Sequence, residues 1–191
     1  MIELYEIPTS GNSYRVRLML GLIGCEYRSI VIEGHGDTRV GALNPLGEAP
    51  VLVDDALVLR DSQAMLCYLA RRYAPEWLPV EPAALGAIHQ WLSLAANEIQ
   101  HGPRMARAIT LGIVPGDLAA ARTRSLRVLE LLEQRLGTRQ WLECDRPTIA
   151  DVACYPYVWN AGEGGIEMAR FPAARAWLAR ITALPGYRPM V

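Results

Sequence analysis

The sequence lacks a dominant charge, a long apolar run and any paired-cysteine motif, and each absence removes a class of function. Arginine and lysine together number 19 against 20 acids, leaving a formal net charge of −1. A nucleic-acid surface needs a basic field, and this balance does not supply one. No apolar run reaches about 18 residues, so no membrane-spanning helix is expected. The opening residues, MIELYEIPTS, carry acids where an export signal carries lysine or arginine, so the expected location is cytoplasmic. Four cysteines, Cys25, Cys67, Cys144 and Cys154, are scattered without a C-x-x-C pair and read as reduced structural thiols. Three histidines, His35, His89 and His101, show no metal-ligand spacing, so no metal is expected. Repeats and low-complexity tracts are also absent.

What is present is a chain of 191 residues, 51% hydrophobic and 20% charged, enough for one large domain or two small ones with a sizeable core. Its texture changes once, near Trp77. Before that point short strand-like runs alternate with helical stretches. IELYEI and EYRSIVI read as strands, and SYRVRLMLGLIG between them reads as a helix that stops at Gly24. A loop rich in glycine and proline follows. PVLVD and ALVLR then read as a hairpin turning at Asp54-Asp55, and DSQAMLCYLARRYA as a helix capped by Asp61 or Ser62. WLPVEPAAL reads as a linker. Beyond it the pattern is helical throughout: one long stretch kinked near Gly102-Pro103, a second ending at Gly137, a third opened by a Thr148–Asp151 capping box, and a last one from Pro172 to before Pro185. The expected division is 1–76 and 84–191.

Three places in the first part carry chemistry. Pro50 lies directly before an apolar strand, where its missing N–H is a defect. A cis Ala49-Pro50 bond at the strand start is one solution, and it would turn the Ala49 backbone toward an extended peptide. Asp61 and Ser62 open a helix. The backbone donors and the Ser62 hydroxyl suit a carboxylate, and Asp61 suits an ammonium, which together describe an amino-acid head group. Ser10 and Ser13 lie at the first strand-to-helix turn, in TSGNSYRVRL. A hydroxyl there can donate to a thiolate and lower its pKa, while Ser13 reads as the helix cap.

The order of these sites, together with LYEIPTSGNSYRVRLML, NPLGEAPVLVDDALVLRDSQAMLCYLARRYAP and RPTIADVACYP, resembles the glutathione transferase family over nearly the whole chain. The resemblance implies an α/β plus all-α protein, with a thioredoxin-like N-terminal domain followed by an all-helical C-terminal domain, usually as a homodimer. It implies a cis Pro50, backbone pairing of Ala49 with the cysteine of glutathione, and Asp61-Ser62 on the γ-glutamyl group. In serine-type members the catalytic hydroxyl precedes the first-helix valine by six positions. Counting back from Val16 gives Ser10, with Asn12 and Ser13 as the alternatives. Related redox proteins carry C-x-x-C where this chain has Ser10 and Ser13, so a dithiol mechanism is excluded.

Two features depart from the family pattern. Glu48 is acidic where relatives usually are not, and the segment between Ile32 and Asn44 is short, which predicts a reduced second helix. His35 and Arg39 are the candidates there for the glycine end of glutathione. In the helical part, Asn97, His101, Arg104 and Met105 follow helical spacing, and His101 and Arg104 suggest a polar or anionic co-substrate in a pocket between the first turn and the long helix. Trp159 and Tyr155 read as core or pocket wall. The resulting expectation is a glutathione transferase that attacks a small electrophile with the thiolate of glutathione. The alternatives are a non-catalytic glutathione-binding or regulatory protein and a glutathione-dependent isomerase or dehalogenase. No nucleic-acid or membrane partner is expected.

Overall fold

The computed structural model describes residues 1–34 and 36–190. Contacts divide the chain into two compact units, Met1–Leu78 together with the residues from Leu184 on, and Pro79–Ala183.

The first unit is built on a four-stranded mixed sheet. β1 (Ile2–Glu6) pairs in parallel with β2 (Tyr27–Val31) and antiparallel with β3 (Val51–Asp54), which turns into β4 (Leu57–Leu59), giving the order β2-β1-β3-β4. The hairpin turn includes Asp55 at φ 52, a left-handed conformation that aspartate tolerates. Along β1, Ile2, Leu4 and Glu6 are buried while Glu3 and Tyr5 are half-buried, the period of two of a strand with one core face. Glu6 places a carboxylate at the end of that face. It is paired with Arg17 and accepts the Ser29 hydroxyl at 2.6 Å, and Arg17 also donates to the Pro8 carbonyl at 2.9 Å.

α1 (Gly11–Leu22) returns the chain from β1 to β2, and Gly24 at φ 64 ends it as expected. Tyr14, Val16, Leu18, Met19 and Leu20 are all fully buried, so this helix is enclosed nearly all round. The C-terminal residues help enclose it. The Tyr14 hydroxyl donates to the Arg188 carbonyl at 2.8 Å, and a Cβ on Gly21 would lie 2.6 Å from the Gly186 carbonyl oxygen. α2 is a single turn, Thr38–Gly41, in line with the reduced second helix read from the short loop. α3 (Ser62–Tyr73) completes the unit, followed by a 3₁₀ turn at Pro75–Trp77.

The second unit is helical: α4 (Pro82–Leu94), a π-helical segment (Ala95–Arg104), α5 (Met105–Thr110), α6 (Leu118–Leu136), α7 (Ile149–Trp159) and α8 (Pro172–Thr182). The expected linker is shorter than WLPVEPAAL, because the Glu81 carboxylate accepts from the Ala83 and Ala84 N–H groups at 2.9 and 2.8 Å and starts α4 at Pro82. In place of the expected kink at Gly102-Pro103, the helix widens over ten residues. Pro103 cannot donate to the preceding turn. Gly102 packs so closely on α6 that an added Cβ would lie 3.0 Å from the Ser125 nitrogen.

The Thr148–Asp151 capping box is present at the start of α7. Asp151 is buried and accepts from the Thr148 N–H at 2.9 Å, the Leu142 N–H at 3.1 Å and the Trp177 indole at 2.9 Å, tying α7 to α8. Burial pushes its carboxyl up to about 6, against the pull of those donors. Among the described residues no helix is long and apolar enough to cross a membrane.

Candidate functional site

The turn after β1 closes when the Ser10 N–H donates to the Ile7 carbonyl at 3.0 Å. Ser10 then takes extended backbone angles (φ −79, ψ 125), and its hydroxyl oxygen accepts from the Ser13 N–H at 3.4 Å. Ser10 is therefore the N-cap of α1. Ser13, expected in that role, is fully buried in the first turn, where its hydroxyl accepts from the Ile7 N–H at 3.2 Å. A capping hydroxyl uses one lone pair and keeps its own hydrogen to donate. Ser10 and Asn12 are both half-exposed.

The loop before β3 is organised by a residue that the sequence reading passed over. Asn44 is buried, donates from Nδ2 to the Glu48 carbonyl at 2.8 Å, and accepts at Oδ1 from the Leu46 N–H at 3.1 Å. Gly47 turns this loop at φ 64. The loop delivers a cis Ala49-Pro50 bond, with Pro50 buried and Ala49 half-buried. The Glu48 side chain is exposed.

At α3, Asp61 is the N-cap and accepts from the Ala64 N–H at 2.8 Å. Ser62 is buried, and its hydroxyl accepts from Arg15 Nη1 at 2.9 Å. Arg15 was also missed. It lies between Tyr14 and Val16 in α1 and is 2% exposed, which brings a buried cation to the first turn of α3.

Arg39 is committed within its own loop. Its Nε and Nη2 donate to the two Asp37 oxygens at 3.0 and 2.5 Å, and Nη2 also reaches the Val31 carbonyl at 3.2 Å. The guanidinium holds the Asp37 carboxyl below its usual range. His35 lies outside the described residues.

In the helical unit, Asn97, His101 and Met105 line a cavity of about 400 Å³ together with Asp117 and Arg124 of the α6 region. Arg104 is half-buried and does not line it. A larger cavity of about 920 Å³ lies elsewhere in this unit, beside Trp91, Arg135 and Glu143, away from every residue assigned a role from sequence. Tyr155 is fully buried and stacks on Trp159, which is itself exposed, at 5.7 Å between ring centres.

Burial pushes the thiols of Cys25, Cys67 and Cys144 up from the ordinary thiol range. Among the described residues no group of three or more histidine, cysteine, aspartate or glutamate side chains could hold a metal ion.

A mixed four-stranded sheet with a cis proline before its third strand and a hydroxyl at its first helix start defines a thioredoxin-like unit, here joined to an all-helical one. Known proteins share both. The N-terminal domain of glutathione S-transferases matches residues 4–77 and their C-terminal domain matches residues 115–180. Maleylacetoacetate isomerase of Pseudomonas aeruginosa is 30% identical over 98% of this chain and 94% of its own length. The crystal structure of a glutathione S-transferase from Pseudomonas fluorescens superposes with a TM-score of 0.92 at 30% identity, covering 100% of this chain and 98% of that one. A theta-class glutathione S-transferase from Xanthomonas axonopodis pv. citri, with glutathione bound, superposes with a TM-score of 0.87 at 27% identity, covering 100% and 96%. The chain belongs to the glutathione S-transferase family, a family of enzymes.

Proposed function

We propose that this protein activates the thiol of glutathione and adds it to a small electrophile, with Ser10 as the group that stabilises the thiolate. The observation that carries this reading is the Ser10 cap, because the hydroxyl that accepts from the Ser13 N–H still has a proton to give to sulfur. One pKa unit corresponds to about 1.4 kcal/mol. A hydrogen bond to a charged sulfur supplies roughly 1.5–3 kcal/mol, enough for a drop of about one to two units. Ser10 lowers the pKa and is not itself the nucleophile. Asn12, half-exposed on the same turn, is the alternative donor. Ser13 is the weakest of the three, since its hydroxyl is buried against Ile7.

Glutathione itself would be held at three points. The Ala49 backbone beside cis Pro50 pairs with its cysteine, and Asp61 and Ser62 take the γ-glutamyl group. Arg15 adds a buried positive charge behind Ser62. Arg39 is a weaker candidate for the glycine end, because Asp37 already occupies its guanidinium. Ser10→Ala tests the reading. With a chlorodinitrobenzene electrophile its kcat/KM falls by about ten- to a hundredfold, and an unchanged value sinks the assignment.

A second reading, a glutathione-dependent isomerase on the same site, is favoured by the 30% identity to maleylacetoacetate isomerase. His101, Arg124 and Asp117 line one cavity, in which the Arg124 guanidinium is the group suited to a substrate carboxylate. Assaying isomerisable diacids beside a panel of electrophiles separates the two activities. We place the protein in the cytoplasm as a homodimer. Leu46, Val58, Tyr73 and Leu131 are apolar or aromatic residues at least 40% exposed, which is consistent with such an assembly. Sedimentation equilibrium decides it, and a monomer at micromolar concentration would refute it.

A further inference from the structure

The chain ends against the helix whose start carries Ser10. From Leu184 on it belongs to the first unit, where it packs on α1. Two contacts seat it there. Gly21 and Gly186 meet backbone to backbone: a Cβ on Gly21 would lie 2.6 Å from the Gly186 oxygen, and one on Gly186 would overlap the Gly21 oxygen. Gly186 also takes φ 80, so a side chain there is strained as well as excluded. Two turns nearer the start of α1, the Tyr14 hydroxyl donates to the Arg188 carbonyl at 2.8 Å. Burial, with the Tyr187 hydroxyl beside it, raises the Tyr14 phenol above its ordinary range and keeps it a donor.

Tyr14 connects this seat to the turn before α1. Its N–H donates to the Ser10 carbonyl at 2.8 Å, the first bond of the helix. Its ring centre lies 5.5 Å from the Arg17 guanidinium, which donates to the Pro8 carbonyl at 2.9 Å and pairs with Glu6. Pro8 and Ser10 are thus held by two residues that meet at the Tyr14 ring. We propose that the C-terminal segment Gly186–Arg188 positions Ser10 through Tyr14, so that the seating of the chain's end sets the geometry that activates the thiol. Tyr14 and Gly186 are positioning residues, acting through Ser10. The proposal rests on the Ser10 reading above and extends it to the other end of the chain. A hydrogen bond weakens steeply as its distance and angle change, so a small shift of this turn alters thiol activation while the fold stays intact.

The reporter is the pH midpoint of the glutathione thiol in its complex with the full-length protein. Gly186→Ala unseats the tail, and Tyr14→Phe removes one hydroxyl and keeps the ring. The bound thiol is expected to titrate about one unit higher in Gly186→Ala and about half a unit higher in Tyr14→Phe, roughly tenfold and threefold in its acidity constant. In a Ser10→Ala background, Gly186→Ala adds no further shift. A tail that only stabilises the fold predicts lower melting temperatures with the thiol midpoint unchanged.

An unchanged midpoint in the tail variants, whatever their melting temperatures, overturns the proposal, and Tyr14→Phe alone decides it if Gly186→Ala does not fold. A further shift on top of Ser10→Ala also overturns it, because the tail would then act by another route. If Ser10→Ala raises the midpoint and neither tail variant does, the transferase reading stands and only this assignment fails. A parent whose bound thiol titrates like free glutathione defeats both.

Discussion

Ser10, and not Ser13, caps α1: the Ser10 hydroxyl accepts from the Ser13 N–H at 3.4 Å, and the Ser13 hydroxyl turns inward to accept from the Ile7 N–H at 3.2 Å. One side chain thus holds the helix start from the accessible side and the other pins it from the core. Ser10 therefore combines a structural acceptor with a remaining donor, and Ser13 is structural.

The two serines separate by mutation. Ser13→Ala leaves the buried Ile7 N–H without its partner and costs about 1–3 kcal/mol of stability. Catalysis by the folded fraction changes little. Ser10→Ala costs about 1 kcal/mol as a lost cap and also loses activity. Urea denaturation measured beside kcat/KM distinguishes the patterns. Equal loss of activity in both variants would contradict the division.

Arg15 should govern binding more than turnover. Its guanidinium holds Ser62 at 2.9 Å in a buried setting. Arg15→Met raises KM for glutathione by about tenfold or more with a smaller change in kcat, and Arg15→Lys restores little, because an ammonium does not reproduce the planar fork. Steady-state kinetics at varied glutathione checks this. Full rescue by lysine would show that charge alone suffices.

Glu6 and Arg17 form a largely buried ion pair, with side-chain exposures of 3% and 11%. Removing one partner strands the other. Glu6→Gln or Arg17→Met alone should cost about 3–5 kcal/mol, and the double variant less than the sum. A double-mutant cycle by chemical denaturation measures the coupling. Additive losses would show that the pair does not act as a unit.

Asp151 links stability to pH. Burial raises its carboxyl from the ordinary value to about 6 in the folded protein, so the fold binds a proton that the unfolded chain releases near pH 4. The contribution of this group is fully present below about pH 4 and declines as pH rises through about 6. Carboxyl carbon NMR should show Asp151 titrating near 6. A midpoint below 4 would mean that its four donors, the Leu142 and Thr148 N–H groups, the Thr148 hydroxyl and the Trp177 indole, outweigh burial.

Much of this architecture is legible in the sequence because single residues carry strong local constraints. Pro50 before an apolar strand pointed to a cis bond, Thr148 and Asp151 at capping spacing to a helix start, and Gly24 to a helix end; all three are present. The serine roles were not legible, since either residue of S-x-x-S can cap. The outcome depends on the Ser10 N–H closing a turn on Ile7. Arg15 and Asn44 were missed for a shared reason. Each is a polar residue type usually found at the surface, and only tertiary packing buries its polar atoms. The π-helical segment escaped because the sequence shows Pro103 but not the close seat of Gly102 on α6 that goes with it.

The most direct test of the central claim is the pKa of the glutathione thiol in its complex with this protein, followed by thiolate absorbance for the parent and for Ser10→Ala. In the parent the thiol should titrate about one to two units below the free tripeptide, and in Ser10→Ala it should return most of the way to the free value. A bound thiol that titrates like free glutathione in the parent, or one equally depressed in the variant, would contradict the assignment of Ser10.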